Sequence, residues 1–397
     1  MKLQASFATI KSMNIPLTPE QNNALRNAFR PHAPIEDPDN FVGRETERDR
    51  VTEAVFEPGL QVIVFGERGA GKTSLANVAT AATKFERVQI FCEQKASFTQ
   101  ICRDILLKYS EINPSVIKYN AISDTIEADG IIISANDLTG NLLLRVLPKN
   151  KPLCIILDEL DRIENKQVIA DLSELAKNIS TYSTNLTMIF VGVAATADGL
   201  LTGHISNFRN LRQVPVDRMS DKELREVIKR GETILQMEFQ PNVIDEILQL
   251  CDQFPYYVHL LATNSAKSAL LQRKQKITEE DLAVGIAQAA ADADQSLRDD
   301  YEHSTLSIQR SQIYRRILWS MATLPGAAQT IRTITEGTNE IAKAEGAASV
   351  TVQSVGQALV TLTKEGKKNM LVSRTQGFYT FSNPLMKGYV RLIRAKA

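Results

Sequence analysis

The chain of 397 residues lacks most of the signals that would narrow its chemistry at once. It has four cysteines (Cys92, Cys102, Cys154 and Cys251) and no CxxC pair, which excludes a paired-thiol zinc site and a thioredoxin-type motif. Three of the four lie in apolar runs, the setting of buried reduced thiols, so a disulfide-stapled fold is excluded and a cytoplasmic location is expected. The four histidines are scattered, none at metal-site spacing from a cysteine. Basic and acidic side chains number 46 each, so no global field draws the molecule onto nucleic acid. No apolar run approaches the ~20 residues that span a bilayer, and the N-terminus has no long signal-type core, so no membrane partner is expected. Repeats and low-complexity tracts are missing too.

What is present is a succession of patterns. Residues 1–40 are polar and broken by prolines, with one helix expected from Pro19 to Phe29 under a Thr18 cap. They read as an arm. From Leu60 short apolar strands alternate with helices: strands at Gln61–Phe65, Val88–Cys92, Leu153–Leu157, Leu186–Val193 and Arg212–Val216, helices at Lys72–Thr83, Phe98–Tyr109 and Lys166–Ile179. Near-continuous apolar strands separated by helices predict a parallel sheet covered on both faces. Residues 111–150 show no clear period, and Ser123–Ser134 reads as a loop or an added hairpin. After Met219 the pattern is wholly helical, with helices at 220–229, 242–251, 255–271 and 278–290. The tail predicts three helices, near 309–322, 331–343 and 352–364, then a hairpin of Met370–Ser373 and Phe378–Phe381, then a last helix after Pro384. Three helices and a two-stranded wing are the order of a winged-helix module. The expected domains are therefore an arm (1–40), an α/β core (41–218), an all-helical lid (219–295) and a winged helix (296–397).

Two motifs carry chemistry. Gly66-Glu67-Arg68-Gly69-Ala70-Gly71-Lys72-Thr73 fits a phosphate-binding loop with a strand before it and a helix after it. The glycines let backbone N–H groups turn inward, and the helix dipole points at the same phosphate oxygens. Lys72 would reach the β- and γ-phosphates, and Thr73 would offer a hydroxyl to Mg²⁺. Gly66, Gly69, Ala70, Gly71, Lys72, Thr73 and Ser74 thus form a candidate ATP site. About 85 residues on, the strand Leu153–Leu157 delivers Asp158 and Glu159 to its C-terminal end, where ligands bind in open α/β sheets. Asp158 is the candidate Mg²⁺ carboxylate and Glu159 the candidate general base. Asp161 and Arg162 read as a surface pair or helix start.

Together these motifs resemble an AAA+ ATPase. Phe41-Val42-Gly43-Arg44-Glu45 is similar to the segment that precedes the loop in the origin-recognition (initiator) clade and the related STAND ATPases. The likeness covers roughly residues 40–290, and the tail extends it. It implies that Phe41, Val42 and Arg44 lie beside the adenine. It also implies a polar sensor after the strand Leu186–Val193, where only Thr196 stands, and an arginine finger between that strand and the next. Arg209 is the first candidate for the finger and Arg212 the second; His204 reads as structural. In the lid, Pro255 followed by Tyr256 and Tyr257 occupies the place of a sensor arginine. That is closer to the STAND pattern, in which a proline approaches the nucleotide.

The tail breaks the charge balance. Residues 301–397 hold thirteen basic and five acidic side chains, and most of the excess follows Thr363. Lys364, Lys367, Lys368 and Arg374 flank the candidate recognition helix and wing, and Lys387, Arg391, Arg394 and Lys396 follow on the last helix, all places where a winged helix meets phosphates. The helix itself offers Gln353, Ser354 and Gln357 but no arginine, which implies phosphate-led binding of double-stranded DNA. Trp319 reads as core. Three functions stay open: an oligomeric DNA-associated ATPase switch, a STAND-like signalling or defence ATPase whose tail binds a client or effector protein, and a transposition-type regulator forming filaments on DNA.

Overall fold

The computed structural model describes residues 16–128, 130–147, 151–182, 185–201, 210–306, 311–326, 328–375 and 377–396. The chain divides into two compact units, residues 33–219 and residues 1–32 with 220–397. Helix α1 (Pro19–Ala28) has the expected Thr18 cap, which forms a reciprocal capping box with Gln21. It belongs to the second unit.

The first unit carries α2 (Glu45–Phe56), β1 (Gln61–Gly66), α3 (Lys72–Ala81), β2 (Glu86–Phe91), α4 (Phe98–Ile112), β3 (Ile117–Asn120), β4 (Thr125–Ala128), β5 (Ile131–Ser134), α5 (Gly140–Val146), β6 (Leu153–Asp158), α6 (Lys166–Tyr182), β7 (Leu186–Val193) and β8 (Leu211–Val216). Five strands form a parallel sheet in the order β2-β6-β7-β1-β8. The period of two along each strand builds two separate cores. Ile63, Phe65, Val88, Ile90, Ile155, Leu157, Met188 and Phe190 face one side with α4 and α6. Val62, Val64, Cys154, Ile156, Ile189, Val191, Val214 and Val216 face the other with α2 and α3. Both faces are covered, as the near-continuous apolar strands require. Between α4 and α5 lies an antiparallel meander, β3-β4-β5, where the sequence offered a loop or a hairpin. Its strands are four residues each, too short for their period to stand out.

The second unit continues with α7 (Asp221–Leu235), β9 (Glu238–Phe239), α8 (Pro241–Cys251), α9 (Pro255–Leu271), β10 (Lys276–Ile277), α10 (Glu279–Asp292), α11 (Gln295–Thr305), α12 (Ser311–Thr323), β11 (Gln329–Thr330), α13 (Ile331–Ala344), α14 (Val352–Leu362), β12 (Leu371–Thr375), β13 (Phe378–Phe381) and α15 (Leu385–Lys396). Residues 219–295 are not wholly helical, because β9 and β10 pair in parallel. The hairpin β12–β13 gains a third strand, β11.

Helix α1 docks within this unit through the residue after it. Phe29 is buried, meets Phe239 and His259 edge-on, and lies over Gly231, where an added Cβ would sit 2.1 Å from the ring. Arg30 N–H donates to His259 Nδ1 at 3.4 Å, and burial lowers the His259 pKa to about 4, so the ring is a neutral acceptor at ordinary pH.

Several tail cations face inward. Asp252 pairs with Lys387 at 3.1 Å and Arg391 at 2.8 Å, and all three are mostly buried. Lys387 also donates to Gly326 O, and Arg391 to Ala322 O and Gln249 O. These two residues fasten α15 to the unit, which corrects the expectation that they meet phosphates. Trp319 is partly buried and donates to Tyr301 Oη. All four cysteines are buried and free. Among the described residues no helix is long and apolar enough to cross a membrane.

Gly231→Ala should displace Phe29 and destabilise the unit by about 1–3 kcal/mol. The same change in a Phe29→Ala background should cost at most about 0.5 kcal/mol, because the clash partner is gone. Chemical denaturation of the two singles and the double checks this; additive losses would show that the socket is not what joins the two positions.

Candidate nucleotide site

The phosphate loop leaves the C-terminal end of β1 and ends at the N-terminus of α3. Gly69 and Gly71 have φ of +80° and +90°, a region that L side chains enter only with strain. Gly66 is needed for space, since a Cβ there would lie 2.2 Å from Val216 O on β8. Lys72 is buried and its Nζ donates back to Glu67 O at 2.8 Å. Burial lowers its pKa to about 8, opposed by the charges of Asp161 and Asp158. Its ammonium is held inside the loop where an anion would lie.

The β7 strand separates β1 from β6, yet their C-terminal ends converge. Asp158 is buried at the end of β6, one Oδ accepting Glu159 N–H at 2.8 Å and the other Gln89 Nε2 at 3.2 Å. The Thr73 hydroxyl also bonds to it, and burial raises its pKa against these donors. Thr73 and Asp158 are thus brought together as the sequence expected. No group of three or more His, Cys, Asp or Glu among the described residues could hold a metal unaided. A Mg²⁺ fits here only as the partner of bound phosphates, the mode in which that ion keeps few protein ligands.

The other expected residues are placed as follows. Glu159 has a left-handed backbone, φ +54°, and its carboxylate bonds to Arg162 at 2.7 Å. The Ser74 hydroxyl accepts Ile35 N–H at 3.0 Å. Phe41 is half-buried against the α2–α3 side of the sheet, with Val42 half-buried beside it. Arg44, φ +59°, is buried and donates one Nη to both Ala70 O (3.0 Å) and Asp217 O, so it grips the loop from behind. Arg212 sits partly exposed in the edge strand β8. Arg209 and His204 lie outside the described residues. Thr196 precedes the short turn Ala197–Gly199 without capping it. Pro255 opens α9 in the second unit.

Asp161 and Arg162, which read as a surface pair or helix start, are exposed and lie in the short 3-10 turn Leu160–Arg162, and the Asp161 charge also acts on Lys72. Asp161 Oδ1 accepts Val193 N–H at 2.7 Å, and Gly192 leaves the room, since a Cβ there would lie 3.0 Å from that oxygen. The spacing Asp158-Glu159-Leu160-Asp161, with a turn that folds back on β7, was the available signal.

In the tail, Lys367 turns inward: its Nζ donates to His303 O at 3.4 Å and to Leu306 O, and lies 5.1 Å from the Tyr314 ring centre. It closes the end of α11, which makes it a poor phosphate contact. Lys364 and Lys368 are exposed. Arg374 lies in β12, and its side chain is outside the described set.

A family model described as Novel STAND NTPase 1 matches residues 28–378. No curated protein matches the sequence. Among solved structures, a Walker-type ATPase of Pyrococcus abyssi is 16% identical with a TM-score of 0.55, the match covering 91% of this chain and 99% of that one. The ORC2 protein of Aeropyrum pernix, in ADPNP and ADP complexes, is 14% identical with a TM-score of 0.54, covering 94% and 98%. Cdc6p of Pyrobaculum aerophilum is 11% identical with a TM-score of 0.50, covering 94% and 97%. At these identities the likeness concerns the fold alone, a parallel sheet covered by helices on both faces.

Arg44→Met keeps the volume and removes the grip on Ala70 O and Asp217 O. It should lower stability by about 1–3 kcal/mol, the cost of leaving such acceptors unmatched. Thermal unfolding measures this, and an unchanged midpoint would mean that the guanidinium does not secure the loop.

Proposed function

Since the chain belongs to the Novel STAND NTPase 1 family, we propose that it binds ATP with Mg²⁺ at residues 66–73 and hydrolyses it slowly. The observation that carries this reading is the meeting of Lys72, Thr73 and Asp158 at the C-terminal ends of β1 and β6. The nucleotide complexes of the Aeropyrum pernix ORC2 protein, whose fold is similar, support it. Lys72 neutralises the β- and γ-phosphate oxygens by leaving Glu67 O. Thr73 and Asp158 hold the ion, which withdraws charge from the phosphates when bound. Glu159 swings from Arg162 to accept a proton from the attacking water. Arg209 or Arg212 of a neighbouring copy completes the site in an oligomer. The four buried free thiols support a cytoplasmic setting.

In our reading α12, β11, α13, α14, β12 and β13 make a winged helix, and it contacts duplex DNA through Lys364, Lys368 and Arg374, with Lys367 taken up internally. The excess of basic residues after Thr363 supports this. A second reading, a signalling switch whose tail binds a protein, is favoured by the solvent side of α14. There Val352 and Val360 are 55% and 50% exposed beside Gln353 and Gln357, with no cation before Lys364. Family membership is compatible with both.

Glu159→Gln should retain ATP affinity while hydrolysis falls about 10²–10⁴-fold, the usual worth of a general base; a fully active variant refutes that role. For the tail, Lys364→Glu with Lys368→Glu should weaken duplex binding and reduce the slope of log affinity against log salt by about 2. Titrations at several salt concentrations decide it, and an unchanged slope transfers the tail to the protein-binding reading.

A further inference from the structure

The chain passes between its compact units twice, at residues 32–33 and 219–220. Beside each passage a polar contact reaches the phosphate loop or the first turn of α3. Near the first, Ile35 N–H donates to Ser74 Oγ. Near the second there are two contacts. Asp217 O shares the Arg44 guanidinium with Ala70 O. Arg218, the next residue, donates Nε to Glu67 Oε2 at 2.8 Å and Nη2 to Oε1 at 3.4 Å.

Glu67 is therefore held twice. Its carboxylate is gripped by a residue that ends the core, and its carbonyl by the lysine that would engage the phosphates. Two residues after Arg218, Ser220 caps α7 through a capping box with Glu223. A fork-shaped guanidinium suits this task, because two parallel bonds fix direction as well as distance.

We propose that Arg218 is a positioning residue that couples occupancy of the phosphate loop to the order of residues 217–224. The proposal rests on the nucleotide reading above. When Lys72 leaves Glu67 O for phosphate oxygens, the peptide at Glu67 resettles, and the Arg218 fork carries that change to the start of α7. Arg218 itself makes no contact with nucleotide.

Hydrogen exchange of the full chain, with and without Mg²⁺ and ADPNP, tests this. In the unaltered protein ADPNP should slow exchange at 217–224 by about tenfold, and in Arg218→Ala by less than about twofold. ADPNP affinity should change less than about threefold in that variant. Arg218→Lys, which keeps the charge without the fork, should recover part of the effect. Glu67→Gln removes the same ion pair from the other end and should also abolish the slowing, which covers the case of an Arg218→Ala protein that does not fold. Full slowing in Arg218→Ala overturns the proposal, and so does a loss of affinity beyond about tenfold, which would make Arg218 a nucleotide contact. If the unaltered protein binds ADPNP with no change at 217–224, the coupling fails alone; if it binds none, the nucleotide reading fails first.

Discussion

One guanidinium shared by two backbone carbonyls is the constraint on which the core depends. A loop made of glycines has little reason to keep one shape, because glycine gains most from remaining free. Arg44 supplies the missing constraint from outside, by bonding to Ala70 O and to Asp217 O just beyond β8. The loop, the edge strand and the segment before α2 are thereby fixed by one side chain. That side chain is itself held in a left-handed backbone after Gly43, which also has positive φ. The residue that resemblance would set beside a nucleotide serves also as the loop's buttress.

The electrostatics of the site follow from burial. Lys72 and Asp158 are both mostly buried, and burial pushes each toward its neutral form. For Lys72 the charges of Asp161, Asp158 and Glu67 oppose that push. Glu159, by contrast, is at the surface and engaged with Arg162, and is free to exchange partners.

Much of this was legible in the sequence because long apolar periods and glycine spacing are local signals. The five parallel strands, the caps at Thr18 and Ser220 and the start of α9 at Pro255 all fall where the pattern put them. Short elements were less legible: β13 falls on the expected wing strand and β4–β5 on the hairpin offered as one alternative, but β3, β9, β10 and β11 are too short to show a period. Helix α11 was missed because Gln295–Thr305 is mostly polar. Long-range charge was also hidden. Nothing near Lys387 and Arg391 in sequence announces that Asp252 will bury them, so a helix that reads as basic and free spends two of its cations on internal bonds. The same holds for Asp161, whose placement depends on a turn meeting Gly192.

The docking of Phe29 has a consequence for how the molecule is made. The core, residues 33–219, is in effect inserted between α1 and the rest of the helical unit. Phe29 leaves the ribosome long before its socket, since Gly231 follows it by 202 residues. At about 5–20 residues per second, the ring stays without its partner for about 10 to 40 s. The core has time to fold first. The helical unit then has to recover a helix made before that domain, which makes α1 and Phe29 late to find their place.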